Sequence, residues 1–133
     1  MQQDIRWQQR LENFEKAFDM LNKALSIKSP SDVERAGLIQ FYEMAFELSW
    51  KTMKDYLAYQ GYSTNSPRDT IKQSFQSELI TNGHLWLQAL SDRNLTVHTY
   101  DEKKAKAVEK SIRDDYYPLI QTLITRLRLE AKQ

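Results

Sequence analysis

The sequence predicts an all-α fold: an antiparallel bundle of four to five helices, three of them long and two short. Glycine and proline occur only three times each in 133 residues, so the chain is poor in residues that favour turns. Large apolar residues recur at steps of three and four in several segments, which is the spacing of one helix face. The length suits one hydrophobic core, and we expect a single domain over residues 1–133.

The first two predicted helices are long. The first spans residues 4–27, and its apolar positions share one face: Trp7, Leu11, Phe14, Phe18, Leu21 and Leu25. Ser31 or Asp32 is suitably placed to cap the second helix, which is expected to end at Gly61. The second helix is apolar on more than one side, through Phe41, Tyr42, Phe46, Trp50 and Met53. It therefore lies at the centre of the bundle or contacts a partner subunit.

Two short helices are predicted next. Ser66 followed by Pro67 is typical of a helix start, and this third helix is expected to extend to about residue 80. Asn82 and Gly83 are expected to end it. The fourth helix is predicted over residues 84–95.

A long last helix follows. Thr99 and Glu102 have the spacing of a capping box, which predicts where this helix begins. Its apolar residues again fall at steps of three and four: Ala105, Val108, Ile112, Tyr116, Leu119, Leu123 and Leu127. Pro118 is expected to kink the helix, because proline lacks the backbone N–H that continues it.

Charge and composition exclude several classes of function. Nineteen basic and eighteen acidic residues leave a net charge of +1, so any contact with RNA must be local. Glu47 and Lys51 are spaced for a surface ion pair. The chain has no cysteine, no glycine-rich phosphate loop and no metal-ligand spacing, so we predict neither a metal nor a cofactor. Because its start lacks an apolar leader or anchor, we expect a cytoplasmic protein with no membrane contact.

One short stretch combines residues suited to RNA chemistry. Arg93 is followed after four residues by His98, and Tyr100 lies two residues further on. By chance an Arg-x4-His pair would occur roughly one time in eight here, and the pair with its tyrosine roughly six times in a thousand. The three-residue motif is therefore more specific than the pair.

The position of this motif favours a phosphate site. It is predicted at the junction of two helices, where Arg93 and His98 could converge, whereas on one α-helix they would be about 140° apart. An arginine binds phosphate through a fork of donors, and a histidine transfers protons near neutral pH. Alternatively, Arg93 pairs with Asp92 or Asp101 at the surface, His98 merely begins a helix, and Tyr100 is a packed phenol.

Several segments together carry a family resemblance. They are residues 37–43 (GLIQFYE), 47–51 (ELSWK), 54–57 (KDYL) and the motif from Arg93 to Tyr100. In these segments the chain resembles the HEPN superfamily, specifically the nucleotidyltransferase substrate-binding proteins related to the HepT toxins. The resemblance implies a helical bundle that forms a homodimer and brings two copies of the motif to one cleft.

The resemblance also implies a function for each motif residue. In the toxin branch of a toxin–antitoxin pair, the motif residues cleave RNA without a metal, and a minimal nucleotidyltransferase encoded nearby attaches AMP to the tyrosine. The catalytic residues would be Arg93, Asn94 and His98, and Tyr100 would be the AMPylation site. An added phosphodiester two residues from His98 would repel an RNA phosphate, so the modification would neutralise the toxin.

Three functions remain open from the sequence. The chain is a metal-independent endoribonuclease, or a non-catalytic substrate-binding subunit of a two-component nucleotidyltransferase, or a purely structural helical dimer. The first two predict a nucleotidyltransferase partner, and the first also predicts an RNA substrate. No DNA partner is predicted.

Overall fold

A computed structural model describes residues 2–133, except for the side chain of Asn94. Its elements are α1 (Gln2–Leu25), α2 (Asp32–Tyr59), α3 (Pro67–Gln76), α4 (Gly83–Asp92), a 3-10 helix (Arg93–His98), α5 (Glu102–Ser111), a π-helical turn (Ile112–Tyr116) and α6 (Tyr117–Ala131). No strand occurs among the described residues. Because α5, the π turn and α6 are continuous, they form the long last helix. The predicted all-α fold of three long and two short helices is confirmed.

Helix α2 is the centre of the bundle. It contacts α1, α3, α5, α6 and the 3-10 helix. Trp7 near the start of α1 packs edge-on against Tyr56 near the end of α2, with ring centroids 4.9 Å apart, so these two helices run antiparallel. Tyr42, Phe46 and Met53 of α2 are buried in the core. The apolar surplus of α2 is therefore accounted for by its central position.

The ends of α2 are closed by hydrogen bonds that the sequence indicates. Ser31 accepts from the backbone N–H of Glu34, whose carboxylate accepts from the N–H of Ser31, which completes a capping box. At the other end Gly61 has φ +99°, a conformation that favours glycine. The N–H of Tyr62 donates to the carbonyl of Leu57, as in a Schellman motif. The predicted end of this helix is confirmed.

Two of the predicted boundaries of the short helices are wrong. Helix α3 ends at Gln76 rather than near residue 80, because Glu78 adopts a left-handed backbone with φ 64°. Asn82 begins α4 instead of ending α3, since its side chain accepts from the N–H of Leu85. Leu79 and Ile80 are buried without being helical.

The last helix has a different cap from the one predicted and contains a π turn. Asp101, not Thr99, caps α5 by accepting from the N–H of Lys104. A π turn, in which the N–H of Tyr117 donates to the carbonyl of Ile112, precedes Pro118. Proline has no backbone N–H to donate to the preceding turn. The wider π turn accommodates Pro118, the residue at which a kink was expected.

Charged residues join α1, α2 and α5 at one end of the bundle. The buried Arg35 donates to Glu109 at 2.8 Å, and Glu109 also accepts from Arg113 at 2.8 Å. Arg113 in turn donates to the backbone carbonyls of Leu25 and Ile27. Burial alone would raise the pKa of the Glu109 carboxyl, but the hydrogen bonds from both arginines hold it below its ordinary value.

This network makes stability depend on pH in a defined direction. Because the pKa of Glu109 in the folded chain lies below its ordinary 4.5, the ionised carboxylate stabilises the fold above that pH, and the stabilisation is lost as pH falls through the folded-state pKa. Glu109→Gln should lower the free energy of unfolding by about 1–3 kcal/mol near neutral pH.

Urea denaturation from about pH 7 down to about pH 3 measures the effect. The difference between wild type and Glu109→Gln should shrink as the solution becomes more acidic. Glu102→Gln, which breaks an exposed pair with Lys106 on the same helix, is the control and should change stability little. A difference that stays constant with pH would contradict this role of Glu109.

Candidate functional site

Arg93 and His98 lie on the 3-10 helix that continues from α4, and Tyr100 follows its end. The hydroxyl of the buried Thr96 donates to the carbonyl of Arg93 at 2.5 Å, which closes a turn of this helix. A 3-10 helix has three residues per turn, so residues three apart share a face. Asp92, Leu95 and His98 therefore line one side of the segment, and Arg93 and Thr96 line another.

His98 and Tyr100 contact each other. The imidazole Nδ1 and the phenol oxygen are 3.2 Å apart, and the rings meet edge-on with centroids separated by 5.8 Å. His98 is half-buried, whereas Tyr100 is 82% exposed. The alternative of a packed phenol at Tyr100 is therefore wrong. The tyrosine hydroxyl is accessible from solvent and directly adjacent to the imidazole.

Among the side chains that the structure describes, Arg93 pairs with Glu47 alone, at the surface. Its guanidinium donates to Glu47 of α2 at 3.4 Å, and both side chains are 44% exposed. The alternative interpretation named Asp92 or Asp101 as the partner, and those partners are wrong. An exposed pair of this length contributes little to stability. The guanidinium can therefore exchange this carboxylate for a phosphate at low cost.

Sequence reasoning missed Glu47. It was expected to pair with Lys51 one turn along α2, but it accepts from the indole N–H of Trp50 at 3.1 Å and faces Arg93. The contact joins residues 46 positions apart, so local spacing could not reveal it. The segment ELSWK, which carries part of the family resemblance, was the available signal.

The structure does not bring Arg93 and His98 together within one chain. Five steps along a 3-10 helix separate two side chains by about 120° and about 10 Å along the axis. The sequence predicts that they converge at a junction between two helices. That prediction is wrong within one chain, because α4 continues as a tighter 3-10 helix that carries both residues. The predicted support from Asn94 falls on a side chain outside the described residues.

A pair of buried tyrosines anchors the base of the motif. Tyr116 on the π turn donates to the carboxylate of Asp92, the residue before Arg93. Burial, and then this hydrogen bond, raise the pKa of Tyr116 above its ordinary value. Tyr42 of α2 stacks on Tyr116 with ring centroids 5.7 Å apart. The π turn thus fixes the point at which α4 becomes the 3-10 helix.

The described residues contain neither a metal-binding cluster nor a membrane-spanning helix. Residues 2–133 hold no group of three or more His, Cys, Asp or Glu side chains placed to bind a metal ion. Within the same range, every helix is too short or too polar to cross a membrane.

Comparison with known proteins identifies the family. The family described as "Nucleotidyltransferase substrate binding protein like" matches residues 9–129, from within α1 to near the end of α6, including the whole motif. The chain belongs to this family. The resemblance to HepT-like proteins is thereby confirmed.

Two known proteins are similar to this chain, one in sequence and one in both sequence and structure. The probable ribonuclease HepT of Haemophilus influenzae is 35% identical over 98 residues, which cover 70% of this chain and 66% of that protein, just under two thirds. A crystal structure of a Thermus thermophilus protein superimposes with a TM-score of 0.80 at 36% identity, covering 86% of this chain and 98% of the other. The bundle is therefore also found in an experimentally determined relative.

Proposed function

We propose that this chain is a metal-independent endoribonuclease of the HEPN type and the toxin-like member of a two-component system. The contact of His98, which lies on the same short helix as Arg93, with the exposed Tyr100 carries the proposal. Family membership and a relative named as a probable ribonuclease support it.

The proposed reaction is attack by the RNA 2′-hydroxyl on the adjacent phosphorus. The new bond joins O2′ to phosphorus, and the bond from phosphorus to O5′ breaks. The 2′-hydroxyl loses a proton to a base, and O5′ gains one from an acid, which leaves a 2′,3′-cyclic phosphate and a 5′-hydroxyl. His98 transfers a proton, and Arg93 binds the phosphate oxygens through two N–H donors.

A homodimer would complete this site. One transesterification requires both a base and an acid, and one chain carries only one histidine in the motif. Arg93 and His98 of a single chain project about 120° apart, whereas residues of two copies facing one cleft could surround a common phosphate. Two imidazoles in opposite protonation states then supply both roles.

Cleavage in the presence of EDTA tests the proposal. Purified wild-type protein should cut single-stranded RNA in EDTA and leave 2′,3′-cyclic phosphate ends, which mass spectrometry of the fragments detects. His98→Ala should lose this activity. Complete inhibition by EDTA, or equal cleavage by the variant, would contradict it.

Modification of Tyr100 by AMP is the proposed regulation. The tyrosine oxygen attacks the α-phosphate of ATP, pyrophosphate leaves, and the phenol proton is released. In the unmodified chain the Tyr100 oxygen lies 3.2 Å from the imidazole Nδ1 of His98. Once AMP is attached, this oxygen can no longer donate a hydrogen bond, and a negative phosphodiester lies beside His98. RNA phosphate is excluded by charge and by volume.

Co-expression with the neighbouring nucleotidyltransferase should therefore raise the mass of the chain by multiples of AMP and abolish cleavage. Tyr100→Phe should gain no mass. Tyr62→Phe, which alters another exposed tyrosine, should be modified like wild type. Undiminished modification of Tyr100→Phe would assign the acceptor elsewhere.

A second candidate function has one observation in its favour. The family is described by substrate binding, and within one chain Arg93 faces Glu47 rather than His98. The chain would then present a substrate to the nucleotidyltransferase without cleaving RNA. Absence of cleavage together with a stable complex of the two proteins would select this function.

A further inference from the structure

The 3-10 helix covers a cavity of about 170 Å³ that no step of the proposed reaction uses. Its lining includes Leu95 and Thr96 of the 3-10 helix, Val108 of α5, and the two stacked tyrosines Tyr42 and Tyr116. Asp92 and Leu95 both line it, and His98 lies on the same face of the 3-10 helix one turn further on. The cavity therefore lies directly beside the segment that carries Arg93 and His98.

The size and chemistry of this cavity fit a planar ring. A cavity of about 150 Å³ suffices to hold benzene. Its lining is mainly apolar. The rings of Tyr42 and Tyr116, which belong to this lining, stack at 19° to each other. A ring sandwiched against such phenols gains the stacking that proteins use to bind unpaired bases.

A buried polar atom requires a partner in the same place. Tyr42 is 2% exposed, and its hydroxyl has no hydrogen-bond partner among the described residues. Leaving such a group unsatisfied is costly, so a ligand group that forms a hydrogen bond with this hydroxyl would remove that cost. The Asp92 carboxylate also lines the cavity and already accepts from Tyr116. A ring that carries both donors and acceptors on its edge satisfies these groups.

Two lysines of α5 lie at or beside the cavity. Lys104 lines the cavity, and Lys103 precedes it in the first turn of α5. Cations at a helix N-terminus oppose the helix dipole, which favours anions there. Both side chains are exposed and suited to phosphates that continue from a bound base.

We infer that this cavity binds one unstacked nucleobase of the RNA strand and so selects the nucleotide beside the cleavage position. The inference rests on the proposed function for its consequence in cleavage. Binding of a nucleobase does not require RNA cleavage, so this inference and the proposed function can fail separately.

Nucleotide binding by unmodified protein provides the test. Full-length chain, expressed without a nucleotidyltransferase and verified by mass to carry no AMP, is titrated with each nucleoside 5′-monophosphate and followed by NMR. Amide signals of Leu95, Ala107 and Val108 should shift. Ala107→Trp, at an exposed position on the cavity rim, should fill the space and weaken binding at least tenfold. Asn13→Trp, an exposed position on α1, should bind like wild type.

Tyr42→Phe separates a binding role from a packing role. It removes only the unpartnered hydroxyl, so the melting temperature should rise or stay the same while nucleotide binding weakens several-fold. If the Tyr42 hydroxyl contacts no ligand, Tyr42→Phe should bind nucleotides as tightly as wild type. The preference among bases in an RNA library should decrease in Ala107→Trp, but not in Asn13→Trp.

Each outcome decides the inference. Binding that depends on Ala107 supports it even if no RNA is cleaved, in which case only the proposed function fails. Cleavage of RNA with no nucleotide binding, or with binding and base preference unchanged in Ala107→Trp, overturns it. Shifts at the cavity seen only in AMP-modified protein would assign the site to the adenine of that group and would also overturn it.

Discussion

Replacing His98 with alanine should lower the rate of RNA cleavage by about 10²- to 10⁴-fold, the usual contribution of a positioned acid–base group. The imidazole is the group in the motif that transfers protons near neutral pH, and neither Arg93 nor Tyr100 replaces it there. Single-turnover cleavage of an end-labelled RNA in EDTA measures the change. Circular dichroism and the melting temperature should stay close to wild type, because His98 is half-buried on a short segment.

The chain supplies a matched control for this substitution. His84, its other histidine, is exposed near the start of α4 and lies away from the motif. His84→Ala should cleave RNA at the wild-type rate. If two imidazoles of a dimer act in opposite protonation states, the wild-type rate should also pass through a maximum with pH. An unchanged rate in His98→Ala would remove the histidine from the mechanism.

The fold was predictable because its signals are local and repeated. Five of the six periodic apolar positions predicted for α1 are buried, and the sixth, Leu25, is partly buried against the core. Ser31 and Gly61 limit α2 through hydrogen bonds within one or two turns. The helix boundaries that were predicted wrongly depend on competition between nearby capping residues. Asp101 competes with Thr99 for the same cap, and Asn82 is equally suited to end one helix or begin the next.

The site was less predictable because its geometry depends on distant contacts. The sequence identified Arg93, His98 and Tyr100 as candidates and could not give their directions. Glu47 meets Arg93 across 46 residues, and the π turn brings Tyr116 to Asp92 across 24. A periodic pattern does not distinguish a 3-10 helix from the end of an α-helix, so the separation of Arg93 from His98 was visible only in the structure.

Arg93→Ala should reduce cleavage of RNA by about 10- to 150-fold. This range corresponds to the loss of about 1.5–3 kcal/mol, the usual contribution of a hydrogen bond to a charged group. Arg93→Lys should recover only part of this loss, because lysine keeps the charge but lacks the planar fork that binds two phosphate oxygens. Steady-state kinetics of each variant on one RNA measure the loss. Arg68→Ala, at an exposed position on α3, is the control and should behave like wild type.

Glu47→Gln distinguishes a phosphate-binding Arg93 from one that serves only in an ion pair. If the guanidinium binds phosphate, Glu47 competes with RNA, and its neutralisation should strengthen RNA binding several-fold while stability changes by less than about 0.5 kcal/mol. If Arg93 serves only in the ion pair, both Glu47→Gln and Arg93→Ala should leave RNA binding unchanged. Fluorescence anisotropy with a labelled RNA and the His98→Ala background, in which the strand stays intact, separates the two results.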